Sequence, residues 1–198
     1  MWNGGYCVMN TKTKELTLTA LMAAIICVLG PLSVPLPFSP VPISLTMIGI
    51  YLAVYAVGMW RGTVAVIVYL LLGLVGLPVF SGFTGGPAKL LGPTGGYLIG
   101  FIFTALISGL FIDRWWKNRV ISAVGMILGI AVAYVFGTVW LAYVAGMTFR
   151  QALAAGVIPY VGFDLIKIVA LVIVGPELKK VLIRANLVSV HEDGAVQA

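Results

Sequence analysis

The sequence predicts an all-α integral membrane protein with six transmembrane helices, and three observations lead to this fold class. Of the 198 residues, 61% are hydrophobic and only 9% are charged, whereas soluble domains carry about 25% charged residues. The apolar residues are gathered into six segments, each near the ~20 residues that a helix needs to cross a bilayer. The connections between these segments are short, which leaves no room for a separate soluble catalytic domain.

The six segments form one transmembrane domain, residues 16–182, between an N-terminal tail of residues 1–15 and a C-terminal tail of residues 183–198. In chain order they cover residues 16–36, 43–58, 63–80, 94–112, 120–145 and 159–181. The sixth begins with Pro159, a residue type favoured in the first turn of a helix. Before it, Thr148 and Gln151 have the spacing of a capping box, which predicts a short interfacial helix at that point.

Lysine and arginine residues indicate the orientation, because cytoplasmic connections of membrane proteins are enriched in both. With the N-terminus inside, nine of the twelve basic residues fall in cytoplasmic segments, two fall outside, and the twelfth, Lys167, lies within the sixth segment. We therefore expect both termini in the cytoplasm and the chain in the cell membrane, in contact with lipid. The basic residues form no continuous stripe, so no nucleic-acid partner is expected.

Two opposite charges, Asp164 and Lys167, interrupt the apolar sixth segment. Each costs roughly 2.5–3.5 kcal/mol near the centre of a membrane helix on insertion scales. Their spacing of three residues places both side chains on one helix face, with Asp164 ~7–8 Å below the outer end of the helix. Two interpretations are open: a pair that only neutralises itself, or a polar site that offers a ligand an anion beside a cation.

The outer connections are rich in glycine and proline, whereas the inner ones are short and basic. The first outer connection has prolines at positions 31, 35, 37, 40 and 42. Since proline fixes φ and lacks an N–H, this composition predicts a stiff, extended connector. Long ordered loops on one side of a scaffold often carry binding functions, although such loops can also be variable surface features. We expect a lid over an entry, formed by Pro37, Phe38, Pro40, Val41 and Pro42.

The fourth segment begins with the sequence GPTGGY, residues 92–97, at its outer end. A helix start presents unpaired N–H groups and a partial positive charge to an acceptor or an anion. Gly95 and Gly96 would let a ligand approach the backbone closely at this point. The alternative is a packing motif, because Gly96-x-x-x-Gly100 suits close helix contact. The candidate binding residues of the whole chain are Asp164, Lys167, Thr94, Gly95, Gly96, Tyr97, Phe83, Gly86, Tyr160 and Phe163.

The sequence offers no constellation for catalysis or for a metal. Its one histidine, His191, lies in the C-terminal tail, and Cys7 and Cys27 are too far apart for a ligand motif. No phosphate-binding loop of the form G-x-x-x-x-G-K-[ST] is present. No enzyme activity, cofactor or metal is therefore expected. Uphill movement of a solute would draw on ATP-hydrolysing partners or on an ion gradient, so a solitary ion-coupled transporter for a small polar solute is an alternative.

The first segment carries a strip of small residues, Ala20-x-x-x-Ala24. Small residues four positions apart let two helices approach closely. The strip suits contact with a partner protein and equally suits packing against a neighbouring segment of the same chain, so both interpretations are open.

Four stretches together resemble a known family. They are residues 35–44 (PLPFSPVPIS), 72–80 (LGLVGLPVF), 91–101 (LGPTGGYLIGF) and 162–167 (GFDLIK). They are similar to the BioY-type biotin-binding S component of energy-coupling factor (ECF) vitamin transporters. The resemblance runs from about residue 16 to residue 182, and its most specific parts are the GPTGGY run and the Asp-x-x-Lys spacing in the sixth segment.

The resemblance implies a membrane subunit that captures biotin, as transported substrate, in a site open to the outside. It implies a transmembrane coupling subunit and two ATPase subunits as partners, with Ala20 and Ala24 docking on the coupling subunit. The chemistry of biotin suits the charged pair, since a ureido N–H can donate to Asp164 and the ureido C=O can accept from Lys167. The lid would then close over the ring system.

Overall fold

The computed structural model describes residues 11–37 and 39–188 of the chain, and for Thr11 the backbone alone. Phe38, one of the five lid candidates, lies outside the described residues, as do both tails at residues 1–10 and 189–198. The elements in chain order are α1 (Thr11–Leu29), β1 (Ser33–Leu36), β2 (Ser39–Ser44), α2 (Thr46–Leu74), α3 (Pro87–Leu91), α4 (Gly95–Trp115), α5 (Arg119–Ala145), α6 (Phe149–Gly156) and α7 (Ile158–Arg184). Four of these helices, α2, α4, α5 and α7, are long and apolar enough to cross a membrane.

The first outer connection, predicted to be stiff and extended, is a β-hairpin, so the chain is mostly rather than wholly α-helical. Strands β1 and β2 pair antiparallel, with Ser33 opposite Ser44 and Val34 opposite Ile43. Each strand of a two-stranded sheet has a free edge, and proline is tolerated there because its missing N–H leaves no ladder bond unmade. The predicted first segment, residues 16–36, was too long at its end, since α1 stops at Leu29 and the hairpin follows.

A sharp break at Gly58 divides α2 into two halves. Gly58 has φ +80° and ψ 180°, a conformation that only glycine adopts readily. The halves fold back on each other, since a Cβ built on Gly62 would lie 3.0 Å from Cα of Val54, whereas eight residues of straight helix span about 12 Å. Residues 59–62, which separate the second and third predicted segments, are therefore helical rather than a loop, because the helix resumes directly after Gly58.

We expect Gly58→Ala to destabilise the fold by about 1–3 kcal/mol, the cost of a side chain in a strained backbone region. The new Cβ would also lie 3.1 Å from Oδ2 of Asp113. Gly162→Ala is the matched control, because Gly162 lies within α7 and a Cβ there meets nothing within 4 Å. Thermal unfolding of both purified variants in detergent checks this, and equal midpoints would contradict a strained reversal at Gly58.

Helices α4 and α5 lie in close contact through small residues. A Cβ on Gly96 would lie 2.3 Å from Cβ of Trp140, and a Cβ on Gly100 would lie 2.7 Å from Cα of Ala133. Such close approach requires residues without bulk at the contact, as in other membrane helix pairs. The glycines of the GPTGGY run therefore have a packing role, which is the alternative that the spacing of Gly96 and Gly100 left open.

The described ion pairs near the break in α2 mark one end of the bundle as charged. Arg61 pairs with Glu15 at 2.7 Å, and Lys179 pairs with Asp113 at 3.5 Å. Asp113 also accepts a hydrogen bond from the backbone N–H of Met59 at 2.7 Å, directly after the break. This end therefore joins α1, α2, α4 and α7, while the hairpin lies at the other end of α1 and α2.

The short helix predicted before the sixth segment is confirmed as α6. Thr148 is its N-cap, and the capping box is complete: the backbone N–H of Gln151 donates to Oγ1 of Thr148, and the N–H of Thr148 donates to Oε1 of Gln151. Helix α7 follows at once, with Pro159 in its first turn as predicted. It continues through Pro176 to Arg184, so this proline does not end the helix.

Candidate functional site

A cavity opens between the hairpin and the helices α2, α4, α5, α6 and α7. The space between the atoms that line it is about 670 Å³, a figure that includes the open mouth and the solvent there. Apolar side chains form much of its wall, among them Met47, Leu98 and Phe101, while α7 contributes the charged side chains of Asp164 and Lys167. A hydrophobic wall with a few polar groups on one side is the usual form of a ligand site.

The two charged side chains of α7 meet each other at the cavity wall. Asp164 and Lys167 are only 13% and 12% exposed, and Nζ of Lys167 donates to Oδ1 of Asp164 at 2.8 Å. The same ammonium donates to the backbone carbonyl of Ser44 at 2.8 Å, and the hydroxyl of Tyr134 donates to Oδ2 of Asp164 at 2.5 Å. The pair therefore neutralises itself and also faces a cavity, which combines the two interpretations that the spacing left open.

Both charged groups keep hydrogen-bonding capacity for a ligand. An ammonium has three donors and a carboxylate has about four lone-pair sites. Lys167 donates two hydrogen bonds to protein groups, and Asp164 accepts one protein hydrogen bond at each oxygen. The site can therefore take a neutral ligand edge that presents an N–H donor beside a carbonyl acceptor, without breaking the contacts already made.

Strand β2 covers one side of the cavity and is tied to α6 and α7. The hydroxyl of Tyr160 lies within hydrogen-bond distance of the Val41 carbonyl and of the Ser39 hydroxyl. Ser39 in turn donates to the carbonyl of Ala155 at 2.8 Å. Together with the contact of Lys167 to the end of the strand, these bonds hold β2 near both of its ends.

Besides the charged pair, five predicted residues line the cavity. They are Thr94, Tyr97, Tyr160 and, from the predicted lid, Val41 and Pro42. Tyr97 already donates its hydroxyl to the carbonyl of Gly156 at 3.0 Å, so it contributes mainly its ring to the wall. Thr94 is the N-cap residue of α4, but its side chain makes no capping hydrogen bond.

Seven other predicted residues are not part of the cavity wall. They are Gly95, Gly96, Phe83, Gly86, Phe163, Pro37 and Pro40. The two glycines are enclosed by protein, since a Cβ on Gly95 would lie 1.7 Å from the carbonyl oxygen of Leu90. Phe83 and Phe163 are 68% and 50% exposed. Phe163 points away from the cavity because of the rotation of α7 about its axis, and Phe83 because of the path of its loop. Residue spacing in the sequence predicts neither of these.

Two groups that contact the charged pair were not predicted, namely Tyr134 and the backbone carbonyl of Ser44. Tyr134 lies in the apolar fifth segment, where its hydroxyl was the one available signal of a polar contact. The Ser44 carbonyl has no signal in the sequence, because every residue carries such a group. Within residues 11–37 and 39–188, no group of three or more His, Cys, Asp or Glu side chains could hold a metal ion.

The strip of Ala20 and Ala24 lies on the exposed face of α1. The face that packs within this chain is formed by other residues of the same helix, among them Met22, Ala23 and Ile26. The interpretation of the strip as an internal packing motif is therefore wrong, and the strip is available to lipid or to another chain.

Comparison with known proteins gives the same family over nearly the whole chain. The model of the BioY family matches residues 7–184. A biotin transporter BioY from Thermotoga maritima is 38% identical over 167 residues, covering 84% of this chain and 96% of the relative. One from Rhizobium etli is 41% identical over 173 residues, covering 83% and 92%.

Solved structures agree with these sequence relatives. A crystal structure described as the S-component for biotin from an ECF-type ABC transporter has a TM-score of 0.80 and 34% identity, covering 87% of this chain and 94% of that one. A second S component of a bacterial ECF transporter, at 21% identity and a TM-score of 0.56, shares the fold. With its family model, its relatives and its fold in agreement, this multi-pass membrane protein belongs to the BioY family.

Proposed function

We propose that this chain is the high-affinity biotin-binding subunit, or S component, of an ATP-driven ECF vitamin importer. The observation that supports this most directly is the Asp164–Lys167 pair, which faces a largely apolar cavity in a chain of the BioY family. Relatives named as biotin transporters point to the same ligand. The chain itself binds its substrate and carries out no chemical reaction.

In the proposed complex the ureido ring of biotin lies against α7. In a cyclic urea each N–H stands beside the C=O, so one edge of the ring presents a donor next to an acceptor. The N–H donates to Asp164, and the C=O accepts the third proton of Lys167, both as charge-assisted hydrogen bonds. Leu98 and Phe101 pack against the thioether ring, and strand β2 keeps water away from these contacts.

The proposed topology has six crossings. They are α1, the two halves of α2, α4, α5 and α7. The halves of α2 count separately because the chain folds back between them. We place the charged end, with Arg61 and Lys179, in the cytoplasm together with both termini, following the preference of basic residues for that side. The hairpin and the cavity then face outward, where a vitamin arrives.

The proposed partners supply the energy that this chain lacks. The sequence carries no phosphate-binding loop, so a transmembrane coupling subunit and two ATPase subunits would drive transport. The coupling subunit would dock on the exposed strip of Ala20 and Ala24, where small side chains allow a close helix contact. Biotin is the cargo, and no cofactor or metal is part of the proposal.

Titration of the purified chain with biotin, thiamine and riboflavin tests the proposal. We expect that, of the three vitamins, only biotin binds saturably. Tryptophan fluorescence or calorimetry would measure the binding. Biotin binding no tighter than thiamine binding would overturn it. Measurement of biotin uptake by cells distinguishes this function from the alternative of a solitary ion-coupled transporter. Such a transporter would work without ATPase subunits and would stop when the proton gradient collapses.

Tyr160→Phe tests the role of the hairpin as a lid. Loss of the hydroxyl removes the contacts of α7 to Val41 and Ser39, and one hydrogen bond contributes about 0.5–1.5 kcal/mol. We expect biotin to dissociate several-fold faster, while the association rate changes less. Stopped-flow exchange of bound biotin measures both rates, and an unchanged dissociation rate would argue against a closed hairpin.

A further inference from the structure

We propose that Tyr134 is a positioning residue of the ligand site, which orients the Asp164 carboxylate beside the Lys167 ammonium for an N–H/C=O edge of the ligand. The proposal rests on the biotin-binding function proposed above and extends it to a residue of α5. The function proposed above assigns roles to the charged pair on α7 and to the lid, but none to this tyrosine.

The geometry gives Asp164 one protein donor from each of two helices. Lys167, one turn away on the same helix, donates to Oδ1, and Tyr134, on α5, donates to Oδ2. The lysine alone, on a flexible stem, would hold one oxygen and leave the carboxylate free to turn about its Cβ–Cγ bond. A donor at the second oxygen removes that rotation, so the plane of the carboxylate is defined before a ligand arrives.

A tyrosine hydroxyl is suited to this task because it orients an anion without adding charge. Lys167 is the one cation that pairs with Asp164 among the described residues. A second cation in place of Tyr134 would leave the site positive and would attract anions rather than a neutral urea. With the hydroxyl there, the cavity presents one anion and one cation side by side, and Tyr134 itself lines the wall at this point.

The consequence is selectivity for a ligand with an N–H at the correct edge. If the carboxylate is fixed, replacing that hydrogen by a methyl group removes an aligned hydrogen bond and creates a clash. A carboxylate free to turn can move aside and tolerates the methyl group better. Tyr134 therefore governs discrimination between biotin and its N-methylated ureido analogues, in addition to affinity for biotin.

The test compares Tyr134→Phe with Tyr143→Phe, a matched control on the same helix at a residue that is 83% exposed. The dissociation constants of biotin and of its two N-methyl ureido isomers are measured for both variants and the wild-type chain. For Tyr134→Phe we expect about tenfold weaker biotin binding. We also expect an about tenfold smaller ratio between the affinity for biotin and the affinity for the isomer methylated at the ureido nitrogen that faces Asp164. Tyr143→Phe should change neither quantity. Equal weakening for all three ligands, or no discrimination by the wild-type chain, would overturn the proposal.

A measurement without ligand separates this proposal from the biotin-binding function. Infrared difference spectra against Asp164→Asn identify the carboxylate band of Asp164 in the ligand-free protein. We expect Tyr134→Phe to shift this band, because it removes one hydrogen bond to the carboxylate, and Tyr143→Phe to leave it in place. An unmoved band overturns the positioning role. Absence of biotin binding by the wild-type chain would overturn the proposed function, and the infrared result would still decide whether Tyr134 orients Asp164.

Discussion

Asp164→Ala is expected to weaken biotin binding by about a thousandfold. The change removes the acceptor for the ureido N–H and leaves the ammonium of Lys167, only 12% exposed, without its anion. Truncating one partner of a buried, hydrogen-bonded charge pair at a binding site costs about 2–5 kcal/mol of binding free energy, and about 1.4 kcal/mol corresponds to a factor of ten in affinity. Equilibrium titration of the purified variant with biotin measures the effect.

Asp164→Asn is the control for this prediction, because it keeps the size of the side chain and an oxygen that can accept from Tyr134. It should fold normally and bind biotin much more weakly than the wild type. A folded Asp164→Asn protein with wild-type affinity for biotin would refute the role of the carboxylate. The double variant Asp164→Leu with Lys167→Leu removes both charges, and full biotin binding by that protein would reduce the pair to a structural feature.

Ala20→Trp is expected to abolish transport while leaving biotin binding by the isolated chain unchanged. Ala20 lies on the exposed face of α1, on the side away from the residues that pack within this chain. A bulky ring there would hold the proposed coupling subunit away from α1, since close helix contacts depend on small side chains. Co-purification with a coupling module and uptake of labelled biotin measure the two expected effects.

Ala131→Trp is the matched control for assembly. Ala131 is an exposed alanine of α5, so the substitution adds the same bulk at another lipid-accessible position. We expect this variant to assemble and to transport biotin. Normal assembly of the Ala20→Trp protein would exclude the α1 strip as the docking surface, and failure of both variants would indicate a general effect of added bulk.

The extents of most helices were predictable because they depend on local composition. The fifth apolar segment was expected at residues 120–145 and is observed at Arg119–Ala145. The capping box at Thr148 and Gln151 was also found as expected, since it joins groups three residues apart. The length of an apolar segment and the hydrogen bonds of a capping box both depend only on residues close in sequence. Both can therefore be predicted without knowledge of the fold.

The exact position of the reversal, at Gly58, and the roles of the GPTGGY glycines were not predictable in the same way. The chain has 24 glycines, and nothing nearby distinguishes Gly58, one of five described glycines at positive φ, from those that pack against another helix. Whether Gly96 faces a ligand or Trp140 depends on how α4 is rotated against α5. That rotation results from the fit of two long surfaces, which no short pattern describes.

The 198-residue sequence by itself therefore specified the membrane helices and the placement of Asp164 and Lys167 on one helix face, because length, hydropathy and i, i+3 spacing act within a single helix. The contacts that turn the pair into a site join distant parts of the chain: Tyr134 reaches Asp164 across 30 residues, and Lys167 reaches the Ser44 carbonyl across 123. Such contacts exist only after the helices and the hairpin have packed together, since packing alone brings these groups within hydrogen-bond distance.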